Sequence, residues 1–293
     1  MRNILCIGSV LWDVIGHSPA PMPHGADRPG RITRHPGGVA LNIAMALQRF
    51  GLTPALLSAV GRDTEGDDLI HACTALGLNT AHIHRPETLP TDIYMAIEDP
   101  SGLIAAIAYA HSLENAGASI LEPLLDGTLG SDKTPFTGTI ALDGNLTTTL
   151  LENIAANPTL AKADLRVAPA SPGKAKRLTP FLAHGRATLY VNLEEAGLLC
   201  DTRFTDTSAA AHALLDNGAR RVLVTHGARP ACDGTMGDLI MGQPPAVQVH
   251  RITGAGDCFM AAHIAAEIDG ADRQTALTRA LSTTAAHISK DIS

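Results

Sequence analysis

Short apolar or β-branched runs alternate along this chain with longer amphipathic stretches, and that alternation constrains the fold more than any other feature. "ILCIGSV" reads as a strand, and "GGVALNIAMALQRFG" as a helix closed by Gly51. "PALLSAVG" reads as a second strand. "TEGDDLIHACTALG" is a helix that opens on a Thr-Glu-Gly-Asp first turn and ends at Gly77. The pattern continues through "GTIALDG", "TTTLLENIAAN", "ADLRVAPA", "ATLYVN" and "RRVLVTHG". Strand–helix–strand repetition predicts βαβ units, and so an α/β fold with a mainly parallel sheet covered on both faces. With 293 residues and 45% hydrophobic content, the chain can bury a large core as one domain with a small appendage. Aromatics make up only 3%, so Ala, Leu, Ile and Val must fill most of it.

Two segments break the rhythm. Residues 14–36 carry five prolines and no helical period. Residues 90–110 read as a hairpin around the turn Asp99-Pro100-Ser101-Gly102. The expectation is that the two meet as a small antiparallel sheet, set apart from a core of residues 1–13, 37–89 and 111–293. From the residues alone, a cover over an active site and a plain surface hairpin are both open readings.

The formal charge of −7 argues against a nucleic-acid partner, which calls for a basic stripe. A polyanionic ligand would have to be held by local donors instead. Cys6, Cys73, Cys200, Cys232 and Cys258 are scattered and never spaced Cys-x-x-Cys, which predicts reduced, mostly buried thiols and a cytoplasmic protein without a zinc site. No apolar run approaches the roughly 18 residues of a membrane helix. The opening "MRNILCIGSV" reads as a first strand, not a signal peptide. His82 and His84, on an expected strand, share a face but have no third ligand nearby, so they predict no metal site.

The stretch "HRITGAGDCFMAA" raises the chemical question. The apolar run after Asp257 reads as a helix ending near Gly270, so Gly254-Ala255-Gly256 presents free backbone N–H groups at a helix N-terminus, a place that stabilises anions. A dinucleotide fingerprint fails because the third glycine position holds Phe259 and the motif comes late in the chain. A P-loop fails for want of any Gly-Lys-Ser/Thr. Asp257 can be read as a helix cap. It can also be read as a base beside an anion nest, an arrangement suited to phosphoryl transfer.

"TGAGD" near the C-terminus, together with "GGVALN" near the N-terminus, resembles the ribokinase-like (PfkB) family of sugar and nucleoside kinases, and the resemblance covers nearly the whole chain. The family's fold is a three-layer α/β/α core with a small β-sheet lid. Its activity is ATP- and Mg²⁺-dependent phosphorylation of a primary hydroxyl on a small-molecule sugar or nucleoside. "PGRITRHPGGVALNIA", "TDIYMAIEDPSGLIAAI", "ALDGNL" and "VNLEEAGLL" are most similar to the branch that acts on pseudouridine.

The resemblance implies roles position by position. Asp257 is the general base, and Gly254, Ala255 and Gly256 form the anion hole. Asp13, Gly37, Gly38 and Asn42 face the sugar. Asn192 contacts phosphate and Glu195 the metal, while Thr225 and Gly227 belong to the nucleotide loop. Arg229 and Lys174 have the charge to meet a phosphate, although Lys174 also reads as a solvated surface lysine near a helix start, and His226, near the nucleotide loop, has no assigned part. Arg251 stands where many members carry an Asp of a monovalent-cation site, which argues against potassium activation. A homodimer through the lid is a further expectation. Two rivals from other classes are a sugar- or nucleotide-binding protein without catalysis and a dinucleotide-dependent oxidoreductase.

Overall fold

The computed structural model describes residues 3–250 and 252–289. In chain order the first half holds β1 (Ile4–Ile7), β2 (Leu11–His17), β3 (Arg31–Gly37), α1 (Val39–Arg49), β4 (Ala55–Leu57), α2 (Thr64–Ala75), β5 (Ile93–Asp99), β6 (Gly102–Tyr109), α3 (His111–Ala116), β7 (Thr139–Asp143) and α4 (Thr148–Ala156). The second half holds β8 (Asp164–Ala168), α5 (Thr179–His184), β9 (Ala187–Asn192), α6 (Leu193–Cys200), α7 (Thr207–Asp216), β10 (Arg221–His226), β11 (Arg229–Thr235), β12 (Asp238–Gly242), α8 (Ala255–Ile268) and α9 (Arg273–Ile288).

Strands β10, β9, β8, β7, β1 and β4 lie side by side in that order, all parallel, and β11 and β12 extend the β10 edge antiparallel. Alternation along β1 separates two cores. Leu5 and Ile7 face the layer of α4, α5, α6 and α7, while Ile4 and Cys6 face that of α1, α2, α8 and α9. Each fully buried Leu or Ile contributes about 1.5–3 kcal/mol, so aliphatic packing stabilises both layers with few aromatics. α8 is buried along most of its length between the sheet, α1 and α9, which explains why its sequence is apolar on every side.

The small sheet has the order β3-β2-β5-β6. Its two hairpin pairs are antiparallel, as expected, but the central pair β2–β5 is parallel, which corrects the fully antiparallel expectation. β2 and β5 both run outward from the core, and β3 and β6 return, so the outward strands meet in the same direction. β2 begins at Leu11, so Asp13 sits on the small sheet. His84 forms an isolated bridge to Ala59 with a turn before it, so the expected His82–His84 strand face does not form.

The β11–β12 hairpin escaped the sequence reading because it contains Asp233, a poor strand former. Asp233 is fully buried and paired with Arg221 at 2.6 Å and Arg273 at 3.2 Å. Arg221 also meets Glu267 at 2.7 Å, and Arg166 meets Glu267 at 2.6 Å. These pairs hold the C-terminal end of α8 against the amino ends of β8 and β10, so its N-terminus is delivered to the opposite edge of the sheet. Among the described residues, no helix is long and apolar enough to cross a membrane, and no group of three or more His, Cys, Asp or Glu is placed to hold a metal.

Candidate active site

The carboxyl ends of parallel strands are where α/β proteins gather ligands, because the loops that follow them open outward there. Along this edge come Thr225 at the end of β10, Asn192 at the end of β9, Lys174 after β8, Asp143 and Asn145 at β7, and Ser9 after β1. Thr225 pairs in register with Asn192.

α8 opens on Gly254 in the left-handed region, φ 76°, and has no side-chain cap. Ala255 N–H donates to the Ile252 carbonyl at 3.1 Å and is therefore occupied. Among the described residues, the N–H groups of Gly256 and Asp257 carry no hydrogen bond, and a Cβ built on Gly256 meets nothing within 4 Å beyond its own helical turn. The first turn of α8 thus presents two backbone donors, those of Gly256 and Asp257, without a partner among the described residues.

Asp257, in the first turn of α8, accepts a hydrogen bond from Asn42 Nδ2 on α1 at 3.0 Å. Asn42, expected to face a sugar, is placed against the carboxylate of Asp257. Burial pushes Asp257 up to about 7; the Asn42 bond opposes the shift, and the negative fields of Asp143 and Asp13 reinforce it. Asp13 is likewise raised by burial, to about 6. A Cβ on Gly37 would stand 2.0 Å from Asp13 Oδ2, and one on Gly38, at φ 99°, 2.5 Å from the Ser9 carbonyl oxygen. The paired glycines therefore let this chain's own Asp13 and Ser9 press against the turn into α1.

Asn192 and Glu195 form a capping box: Asn192 Oδ1 accepts from Glu195 N at 2.9 Å, and Glu195 Oε2 accepts from Asn192 N at 2.8 Å. Glu194 is exposed while Glu195 is buried, which separates the two adjacent acids that spacing alone distinguished. Burial drives Glu195 up to about 7, against the Asn192 N–H bond and with help from Glu194. A buried carboxylate short of positive charge suits a hydrated divalent cation, and Mg²⁺ needs few protein carboxylates because it keeps several waters. Gly227, φ 55°, sits in the two-residue turn that joins β10 to β11, and Arg229 lies exposed at its far side. Arg251 lies outside the described residues.

One cluster had no role in the sequence reading. Asp143 is fully buried and accepts from Ser9 N at 2.8 Å, Ser9 Oγ at 2.5 Å and Asn145 N at 2.7 Å. Ser9 Oγ in turn accepts from Val39 N at 2.9 Å, the first residue of α1. A Cβ on Gly8, φ 149°, would fall 2.2 Å from Asp143 Cβ. The available signal was the acid at the end of the apolar run "TIALDGN".

The sequence pattern of the pfkB family carbohydrate kinases matches residues 1–291, and the chain belongs to that family. It is 28% identical over 278 residues to the pseudouridine kinase of Escherichia coli (strain K12), covering 91% of this chain and 84% of that one. A carbohydrate kinase from Agrobacterium tumefaciens superposes with a TM-score of 0.81 at 23% identity, covering 100% of this chain and 92% of that one. The ribokinase of Thermotoga maritima superposes with a TM-score of 0.77 at 19% identity, covering 99% and 94% respectively. The fold is ribokinase-like, and the protein is a kinase of the sugar and nucleoside class.

Proposed function

We propose that this kinase transfers the γ-phosphoryl group of ATP to the primary hydroxyl of pseudouridine, giving pseudouridine 5′-phosphate and ADP. The observation that carries the chemistry is Asp257, held by Asn42 beside two N–H donors that have no partner among the described residues. Its carboxylate takes the hydroxyl proton as the new O–P bond forms and the bond to the ADP oxygen breaks. The N–H groups of Gly256 and Asp257 donate to the phosphoryl oxygens as charge builds there. Gly254 makes the turn that aims them, and the Ala255 N–H joins only if it leaves Ile252. Asp13, Gly38 and Asn42 orient the sugar, with Gly37 giving Asp13 room. Thr225 and Gly227 border the nucleotide. Asn192 and Glu195 would hold Mg²⁺, which would supply positive charge to the phosphates. The small sheet acts as a lid that excludes water, the competing acceptor.

The choice of pseudouridine rests on similarity to the pseudouridine kinase of E. coli. The alternative is ribose or another nucleoside at the same site. The test is Mg²⁺-dependent ATP consumption over pseudouridine, uridine, adenosine, ribose, fructose and no acceptor. Preference for pseudouridine is the expected result. Preference for another acceptor keeps the kinase and discards this substrate, and silence across the panel by folded protein favours an acceptor outside the panel or a binding protein without catalysis.

The lid also suggests a homodimer. β6 is an edge strand exposed along its whole length, and it presents Leu103, Ile104, Ile107 and Tyr109. An unpaired apolar edge favours strand addition, here by a second copy of the lid. Size-exclusion chromatography with light scattering is expected to give a dimer for the wild type and a monomer for Ile107→Asp. A monomeric wild type removes this assembly.

A further inference from the structure

Lys174 lies in the 3₁₀ turn Pro172–Leu178 that follows β8, and it is half-buried. Its Nζ donates to Asn145 Oδ1, its one hydrogen bond among the described residues. The carboxylates within its field are already engaged. Asp143 accepts from Ser9 and Asn145, and Glu114 is paired with Arg177 at 2.9 Å. Arg177 also donates to the carbonyls of Asn145 and Leu146, at 2.8 and 3.2 Å, so a second cation stands beside the same strand end. A half-buried ammonium that faces one neutral amide oxygen lacks the negative partner its desolvation calls for. Burial, with Arg177 assisting, accordingly holds its pKa below the usual lysine range.

Strand order says which anion could supply that partner. The residues assigned to the nucleotide stand at the ends of β10 and β9, and those assigned to the acceptor follow β1. β8 and β7 lie between them, and their ends carry Lys174 and Asn145. Asp143 links the two sides electrostatically, since its field acts both on Asp257 and on Lys174. A phosphoryl group passing from nucleotide to acceptor crosses this part of the edge.

We propose that Lys174 is a catalytic residue that binds the γ-phosphoryl group of the nucleotide, and that Asn145 is the positioning residue that aims it. The inference rests on the kinase reading above. As the acceptor O–P bond forms and the bond to the ADP oxygen breaks, Nζ stays protonated and donates to a γ-phosphoryl oxygen. The only proton transferred is the acceptor hydroxyl's, and it goes to Asp257. Lys174 thus adds a point charge to the backbone donors of α8.

The test is calorimetric titration of the whole protein with the β,γ-imido analogue of ATP and with ADP, each with Mg²⁺, alongside turnover. Wild type, Lys174→Met and Lys174→Arg are compared. Lys174→Met is expected to weaken the imido analogue about tenfold, to leave ADP within about twofold, and to lower kcat about 100-fold. Lys174→Arg should recover part of each loss. Equal weakening of both nucleotides, or of neither, overturns the assignment. So does a change confined to acceptor KM, which would move Lys174 to the acceptor's own ring. Melting curves identify folded variants. Asn145→Ala is the second test, expected to reduce the same preference for the ATP analogue over ADP with Lys174 still in place. If wild type turns over ATP while Lys174→Met discriminates between the nucleotides normally, only this inference falls. Wild type that binds neither nucleotide removes the kinase reading as well.

Discussion

Asp257→Asn is expected to lower kcat about 10³-fold, within the range a positioned general base contributes, while nucleotide and acceptor affinities stay close to wild type. An asparagine keeps an oxygen for Asn42 Nδ2, so the geometry at 3.0 Å survives while the proton acceptor is lost. The wild-type kcat/KM should fall tenfold per pH unit below about 7, where burial holds Asp257 protonated. That limb should be absent from the residual rate of the variant. Stability moves the other way. An unfolded aspartate titrates near ~3.9, and the native group at about 7, so the folded state binds the proton more tightly. Between those values wild-type stability falls as pH rises, and above about 7 the whole penalty for ionising Asp257 is present. Asn carries no such penalty. The variant should therefore melt higher than wild type at pH 8, by about 2 °C for each kcal/mol relieved, with the difference shrinking toward pH 4. Ordinary turnover in the variant would return Asp257 to a structural role, and a lower melting point at pH 8 would contradict the burial argument.

The layers of this fold were legible because each apolar run carries its own period. The period-2 alternation of "ILCI" already assigns Leu5 and Ile7 to one face and Ile4 and Cys6 to the other. The glycine turn that opens α8 was legible for a similar reason: Gly254, Ala255, Gly256 and Asp257 are consecutive, and a helix N-terminus is a local object. What escaped depends on contacts between distant segments. Strand composition does not encode the direction of a neighbour, so the parallel pairing of β2 with β5 could not be read. Asn42 reaches Asp257 across 215 positions and Ser9 reaches Asp143 across 134, and nothing local marks either pair. The Asp143–Ser9–Asn145–Lys174 cluster was invisible for the same reason, although each member was in plain view. Glycines also read ambiguously. The resemblance has Gly37 and Gly38 face the sugar, and the atoms that crowd them belong to Asp13 and Ser9.

That ambiguity makes glycine substitution the sharper probe of the nest. Gly256→Val is expected to fold normally and to lose nucleotide binding. Its backbone lies outside the left-handed region, and its Cβ meets nothing within 4 Å among the described residues beyond its own helical turn. Replacing a glycine in a helix also removes some backbone entropy cost, so melting should not fall. A valine side chain at this position is expected to intrude on an anion approaching the N–H groups of Gly256 and Asp257, which have no partner among the described residues. Each hydrogen bond to a charged phosphate contributes about 1.5–3 kcal/mol, so losing both should weaken the imido analogue of ATP by about 100-fold or more. Gly8→Val is the contrasting case. At φ 149° its Cβ would fall 2.2 Å from that of buried Asp143, so that variant should fail to fold because the clash is with the protein itself. Calorimetric titration and thermal melting of the two variants separate space kept for a ligand from space kept for packing. If Gly256→Val binds the nucleotide as tightly as wild type, the phosphate is held elsewhere along the edge, and Asp257 loses the partner that makes it a base for phosphoryl transfer.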